Sequence, residues 1–197
     1  MREKRQEKNL TQAARLRILL DDNWKNTLGV WHLNRKKLGQ SPCPSCPSRR
    51  SMYKKLANQL EISENNAEVF SIMIADIDDF KLFNDQYGHA CGDQVLLETS
   101  LIIQSHINER GTVSRWGGEE FLIFLPKTTE IAARELAESL RNKINDHLFT
   151  YENFDLQIRL TLGVAAYEEE QSISSIINKA DQKLLIGKRK GKNQVVS

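Results

Sequence analysis

Arg115-Trp116-Gly117-Gly118-Glu119-Glu120-Phe121-Leu122-Ile123-Phe124-Leu125-Pro126 is the stretch whose reading decides the fold. Phe121 to Leu125 is a short apolar run with the β-branched and aromatic content of a buried strand. Just before it stand two glycines and two carboxylates. A Gly-Gly pair outside a strand marks a tight turn with positive φ, or a close approach of backbone to a ligand. With a second strand over Val113 to Trp116, the stretch reads as a β-hairpin carrying adjacent acids at its tip. Neighbouring carboxylates repel, and burying them is costly. A hard cation such as Mg²⁺ would relieve that cost and would bring phosphates with it. A solvated acidic turn is the competing reading of these four residues taken alone.

A second segment shifts the balance. Val69 to Ala75 (VFSIMIA) is another apolar run, ending in Asp76-Ile77-Asp78-Asp79-Phe80-Lys81. Acids are disfavoured inside strands, so these mark a strand's end, where sites in α/β folds usually lie. A third polar cluster follows, Asn84-Asp85-Gln86-Tyr87-Gly88-His89-Ala90-Cys91-Gly92-Asp93.

At these residues the chain resembles a known family. DIDDFKLFNDQYGHACGD followed by RWGGEEF is similar to the GGDEF family, the diguanylate cyclases, in its Gly-Gly-Glu-Glu-Phe form. The resemblance spans roughly residues 49–195 and rests on several motifs in order. It implies condensation of two GTP into cyclic di-GMP at a homodimer interface, with Mg²⁺, or Mn²⁺ in its place, as cofactor. It assigns Asp76, the Ile77 carbonyl and Glu119 as metal ligands. Glu120 would be a further ligand or the group that helps deprotonate the 3′-hydroxyl, and adjacent acids around a metal titrate as a set. Asn84 and Asp93 match the guanine-contacting positions, and His89 a substrate-contacting one. The residue types of Asn84 and Asp93 also suit turns and caps. Phe80 and Lys81 open a short helix whose N–H groups suit anions, with Lys81 stabilising developing phosphate charge. Near the C-terminus, ADQKLLIGKRKGKNQV resembles the family's closing A-D-x-A-L-Y-x-A-K-x-x-G-R-N. There Lys188 and Lys192 match two phosphate-binding positions, Lys192 replacing an arginine and its bidentate fork. Those lysines read equally as a solvated basic helix end favoured by the dipole. Asp78 reads as a surface or capping carboxylate, Arg115 as a brace or partner contact, and Trp116 as core.

Two departures from the family pattern matter. A segment like D-x-L-T-G-L-x-N-R-R usually opens the domain, and here those positions read SPCPSCPSRR, keeping the arginines. A non-catalytic GTP-binding or protein-interaction module is therefore the alternative function. Many members also carry an R-x-x-D inhibition site before the Gly-Gly. Asn108 and Gly111 stand in its place, so feedback through it is expected to be absent.

Composition sets the outer bounds. A chain of 197 residues, 40% hydrophobic and 27% charged, suits one ordinary domain and a short extension. A net charge of +2 gives no strong electrostatic case for nucleic acid or a membrane surface. No apolar stretch is long enough for a membrane span. The N-terminus has too short an apolar segment for a secretory signal, so the expected location is cytoplasmic. Three cysteines imply no disulfide framework. Cys43 and Cys46 form a lone C-x-x-C that would need two further ligands to hold zinc, and His32, His89 and Cys91 lack convincing spacing.

Taken in order, residues 1–40 read as a helical extension, with a one-sided helix over about 1–22 and apolar residues from Trp24 to Leu33 capping a core. Residues 41–48 form a Pro/Cys/Ser linker, and 49–197 the main domain. Within it the spacing predicts helices over about 49–64, 79–86, 92–108, 129–146 and 172–190. Strands are predicted over 69–75, 113–116, 121–125 and 156–166. This order gives an α+β or α/β layer with a mostly antiparallel sheet. The resemblance implies a nucleotidyl-cyclase palm, a sheet of about five strands surrounded by helices.

Overall fold

The computed structural model describes residues 46–169 and 171–197. The expected helix over 1–22, the apolar cap from Trp24 to Leu33, most of the linker, and Cys43 fall outside the described residues.

The domain begins with α1 (Arg49–Asn66), whose N-cap Ser48 accepts from the Ser51 N–H. Then come β1 (Phe70–Ile77), α2 (Phe80–Tyr87), α3 (His89–Ile107), a 3₁₀ turn (Asn108–Arg110), β2 (Thr112–Arg115) and β3 (Glu120–Pro126). They are followed by α4 (Glu130–Asn145), β4 (Phe149–Tyr151), β5 (Phe154–Leu156), β6 (Leu160–Ala166), α5 (Ile173–Arg189) and β7 (Val195–Val196). Thr129 and Ser172 cap α4 and α5 by accepting from the N–H three residues on.

The main sheet has five strands in the order β2-β3-β1-β6-β7. Every pairing is antiparallel except β6 with β7. The fold is thus the expected α+β layer. Its central strand is buried along its whole length because helices cover both faces. The period-2 alternation of β1 divides the core. Met73, Ala75 and Ile77 pack with residues of α3 and α4, whereas Ile72 and Ile74 pack with α1 and α5.

The structure corrects several predicted boundaries. Gly88 has φ of 84°, which ends α2 and lets α3 start at once, at His89 rather than near residue 92. The predicted strand over 156–166 is broken. Its first residue, Leu156, ends β5, which pairs back on Phe149–Tyr151 as a small hairpin with Glu152 at φ of 51° in the turn. The two-residue β7 has too little sequence to show a period. Leu60 is only half-buried on α1, where Gln59 turns inward and donates to Glu68 Oε1 at 2.8 Å.

Candidate functional site

The sheet register builds the acidic end of the site. Asp76 is the direct cross-strand partner of Glu120, and Ile77 N–H donates to the Glu119 carbonyl at 3.4 Å. Asp76 shares the side of β1 that carries Ile72 and Ile74, and Glu120 the side of β3 that carries Leu122 and Phe124. Both carboxylates therefore face α5. Its last turn brings Lys188, whose ammonium donates to Asp76 Oδ1. Lys192, just beyond the helix, donates to Asp79 Oδ1 at 2.5 Å.

The electrostatics follow from that crowding. Burial pushes the Asp76 carboxyl up to about 6; Lys188 opposes the shift, and Glu119 and Glu120 add to it. Burial also raises Glu120, with Asp181 and Glu119 adding repulsion while Lys188 and Arg49 oppose it. The hydrogen bond to Asp79 raises Lys192.

The hairpin tip is braced from within. Trp116 N–H and Gly117 N–H both donate to the Glu120 carbonyl, at 2.7 and 3.3 Å. Arg115 donates through Nε to the carbonyls of Gly117 and Gly118. Neither glycine has the positive φ expected for the turn. A Cβ on Gly117 would lie 2.3 Å from Glu120 Oε2, so this position must be bare for the carboxylate to fold over it. Gly118 faces open space, leaving its backbone accessible to a ligand. Trp116 is half-buried against Tyr53 and lies under the Arg49 guanidinium, 4.3 Å from the ring centre.

The second half of the site lies between α2 and α3. Asn84 sits in the last turns of α2, and its Oδ1 would be 1.8 Å from any Cβ on Gly92. Glycine at 92 is what allows the two helices to approach so closely. Asn84 Oδ1 is buried and has no hydrogen-bond partner, although buried acceptors are rarely left unpaired. Asp93 follows Gly92 directly and is half-buried, while His89 is exposed at the first position of α3. Phe80 is buried beneath the start of α2, and Lys81 is exposed on that helix's first turn.

Other motifs lie apart from this cluster. Cys91 is buried in the core. Asn108 and Gly111 border a cleft of about 470 Å³ with Lys55, which donates to Thr112 Oγ1 at 3.2 Å. Sequence reasoning missed the work of Asp78, which accepts from Thr161 Oγ1 at 2.7 Å and Asn193 N–H at 2.9 Å. Nothing near Asp78 in the chain signals those distant partners.

A divalent cation suits this donor set. Among the described residues no three His, Cys, Asp or Glu side chains converge into a ready-made cage. Mg²⁺ seldom needs one, because it typically binds one or two carboxylates together with substrate phosphates and water. The donors here are hard oxygens, and a Lys188 ammonium already stands against Asp76 as a cation would.

The chain is similar to several known proteins. The chain is 38% identical over 134 residues to diguanylate cyclase A of Treponema denticola, covering 68% of this chain and 36% of that protein. It is 33% identical over 150 residues to diguanylate cyclase DgcZ of Escherichia coli, covering 75% and 49%. The chain thus spans less than half the length of these curated relatives. Among solved structures, the active GGEEF domain of a Vibrio cholerae diguanylate cyclase superposes with a TM-score of 0.71 at 33% identity, covering 79% of this chain and 97% of that one. The GGDEF domain of DgcB from Caulobacter crescentus, solved with c-di-GMP, gives 0.76 at 26% identity, covering 80% and 93%. Among the described residues no helix is long and apolar enough to cross a membrane. Residues 45–194 match the family described as "Diguanylate cyclase, GGDEF domain", and the chain belongs to that family.

Proposed function

We propose that this chain is a diguanylate cyclase working in the cytoplasm, joining two GTP into cyclic di-GMP and releasing two pyrophosphates. In each half-reaction a 3′-oxygen bonds to an α-phosphorus, the bond from that phosphorus to the β-bridging oxygen breaks, and the 3′-hydroxyl loses its proton. The observation carrying this reading is the cross-strand pairing of Asp76 with Glu120, beside Glu119, against Lys188 from the last turn of α5, with Lys192 just beyond it on Asp79. Residues 49–197 form the catalytic domain, with 1–40 as an extension and 41–48 as a linker.

Asp76, the Ile77 carbonyl and Glu119 hold Mg²⁺ or Mn²⁺, with Glu120 as a further ligand. When bound, that ion supplies charge neutralisation across the triphosphate. Glu120 is also the candidate acceptor for the 3′-hydroxyl proton, because burial and its acidic neighbours raise its basicity above that of an ordinary glutamate. Lys188, Lys192 and Lys81 take the phosphates, joined by the N–H groups opening α2 at Phe80. Asn84 and Asp93 read the guanine edge, and His89 touches the substrate from the first position of α3. An Asp accepts from the base N1–H and amino group, a donor pattern that adenine lacks. Each chain holds one GTP, so two chains must face each other for both bonds to form, which makes a homodimer the working unit.

Purified protein with GTP and Mg²⁺ is expected to yield cyclic di-GMP by chromatography, and Glu120→Ala to abolish it. Full turnover in that variant refutes the assignment. A GTP-binding module without turnover is the second reading, favoured by the SPCPSCPSRR departure. The described end of that segment joins the fold, since Ser114 Oγ donates to the Pro47 carbonyl at 2.8 Å. GTP binding with no product would select this second reading.

A further inference from the structure

After α5 the backbone runs through three consecutive positive φ values, at Gly191 (116°), Lys192 (63°) and Asn193 (45°). Only the first is glycine, so the other two need support from their surroundings. Lys192 N–H donates to the Gly187 carbonyl at 3.1 Å, and the Asn193 side chain is bracketed by Arg141 and Asn145. The tie to the sheet is Asp78. Its Oδ2 accepts from Asn193 N–H at 2.9 Å, its Oδ1 accepts from Thr161 Oγ1 at 2.7 Å, and its own N–H donates to the Arg159 carbonyl at 2.9 Å. One carboxylate thus joins the end of β1, the start of β6 and the strained turn. Both its oxygens are committed to protein donors, so Asp78 is not spare for a cation.

The pairing repeats along the two segments. Asp76 takes Lys188, Asp78 takes the Asn193 N–H, and Asp79 takes Lys192. Where the turn sits therefore sets where both ammonium groups reach. We propose that Asp78 is a positioning residue for the triphosphate of a nucleoside triphosphate, acting through the turn at Lys192 and Asn193. The inference rests on the reading above, in which Lys188 and Lys192 contact phosphates.

The test uses the full chain with Mg²⁺ and 3′-deoxy-GTP, which lacks the attacking hydroxyl and cannot react. Its dissociation constant is compared with that of GMP, for wild type, Asp78→Asn and Thr161→Val. Asp78→Asn is expected to weaken 3′-deoxy-GTP about tenfold, the lower end of what losing an outer-shell partner costs elsewhere, and to change GMP affinity less than about twofold. Thr161→Val, which removes only the hydroxyl orienting the carboxylate, is expected to weaken 3′-deoxy-GTP a few-fold in the same selective way. Equal losses for both nucleotides, or no loss for either, overturn the proposal. Should Asp78→Asn fail to fold, the same two outcomes are read from Thr161→Val alone. Wild-type protein that binds 3′-deoxy-GTP no more tightly than GMP would instead overturn the triphosphate reading itself, and this inference with it.

Discussion

At the sheet end of the site, Asp76 is buried, charged when ionised, and paired with Lys188. At the helix end, Asn84 is a neutral amide whose buried oxygen has no hydrogen-bond partner among the described residues. A buried carboxylate left without a cation would cost far more than a bare amide oxygen, so only the acid needs an internal stand-in. Substrate binding then means different things at the two ends. On the proposed reading, a guanine edge would meet the Asn84 amide, while a triphosphate and its cation would exchange partners with the Asp76–Lys188 pair.

The largest effect should come from breaking the charged end. Asp76→Ala removes a proposed metal donor and leaves Lys188 unpaired. Turnover should fall about a thousandfold, since cation stabilisation of transferring phosphates is worth several kcal/mol and each ~1.4 kcal/mol is tenfold. GMP affinity should hardly change, and steady-state kinetics with GMP titration measures both.

Asn84→Ala breaks the other end. GTP affinity should drop about tenfold, with no loss of thermal stability and a small gain if anything, because an unpaired buried acceptor costs about 1–3 kcal/mol. A melting temperature that falls with this variant would mean the amide is paired in the free protein.

Acidity separates Asp76 from Asn84 further, since a carboxyl titrates and an amide does not. The folded protein holds the Asp76 proton up to about pH 6, against 3.8 for an ordinary aspartate. Stability from this group is therefore fully present below the unfolded value and is lost as pH rises through the folded one. In metal-free buffer, the melting temperature of wild type should decline relative to Asp76→Asn between about pH 4 and pH 7. Parallel curves would contradict the burial argument.

Arg115→Ala should have the smallest effect. It removes the brace on the Gly117 and Gly118 carbonyls. The expected cost is about 1 kcal/mol, or roughly 2–4 °C in melting temperature for a domain of this size, with turnover modestly reduced.

The charged end was the more legible of the two in sequence. Val69 to Ala75 and Phe121 to Leu125 are continuous apolar runs because both faces of the sheet are covered, and acids at the ends of such runs stand out. The glycine doublet was visible too, although Gly117 gives clearance for Glu120 and neither glycine makes a left-handed turn. At the helix end, residue types pointed equally to caps and turns. Only the contact of Asn84 with Gly92 and the unpaired oxygen distinguish it. Asp78 was the least legible, since its partners lie 83 and 115 residues away and no local period encodes them. The hairpin of β4 and β5 escaped because three-residue strands are too short to show alternation.

The outermost strands of the sheet are short, four residues in β2 and two in β7. Short borders offer few unsatisfied peptide groups to a neighbouring chain, so the sheet has little means of extending itself from one molecule into the next. Among the described residues, then, the sheet's borders give two copies little to hold, and side chains and helices offer more.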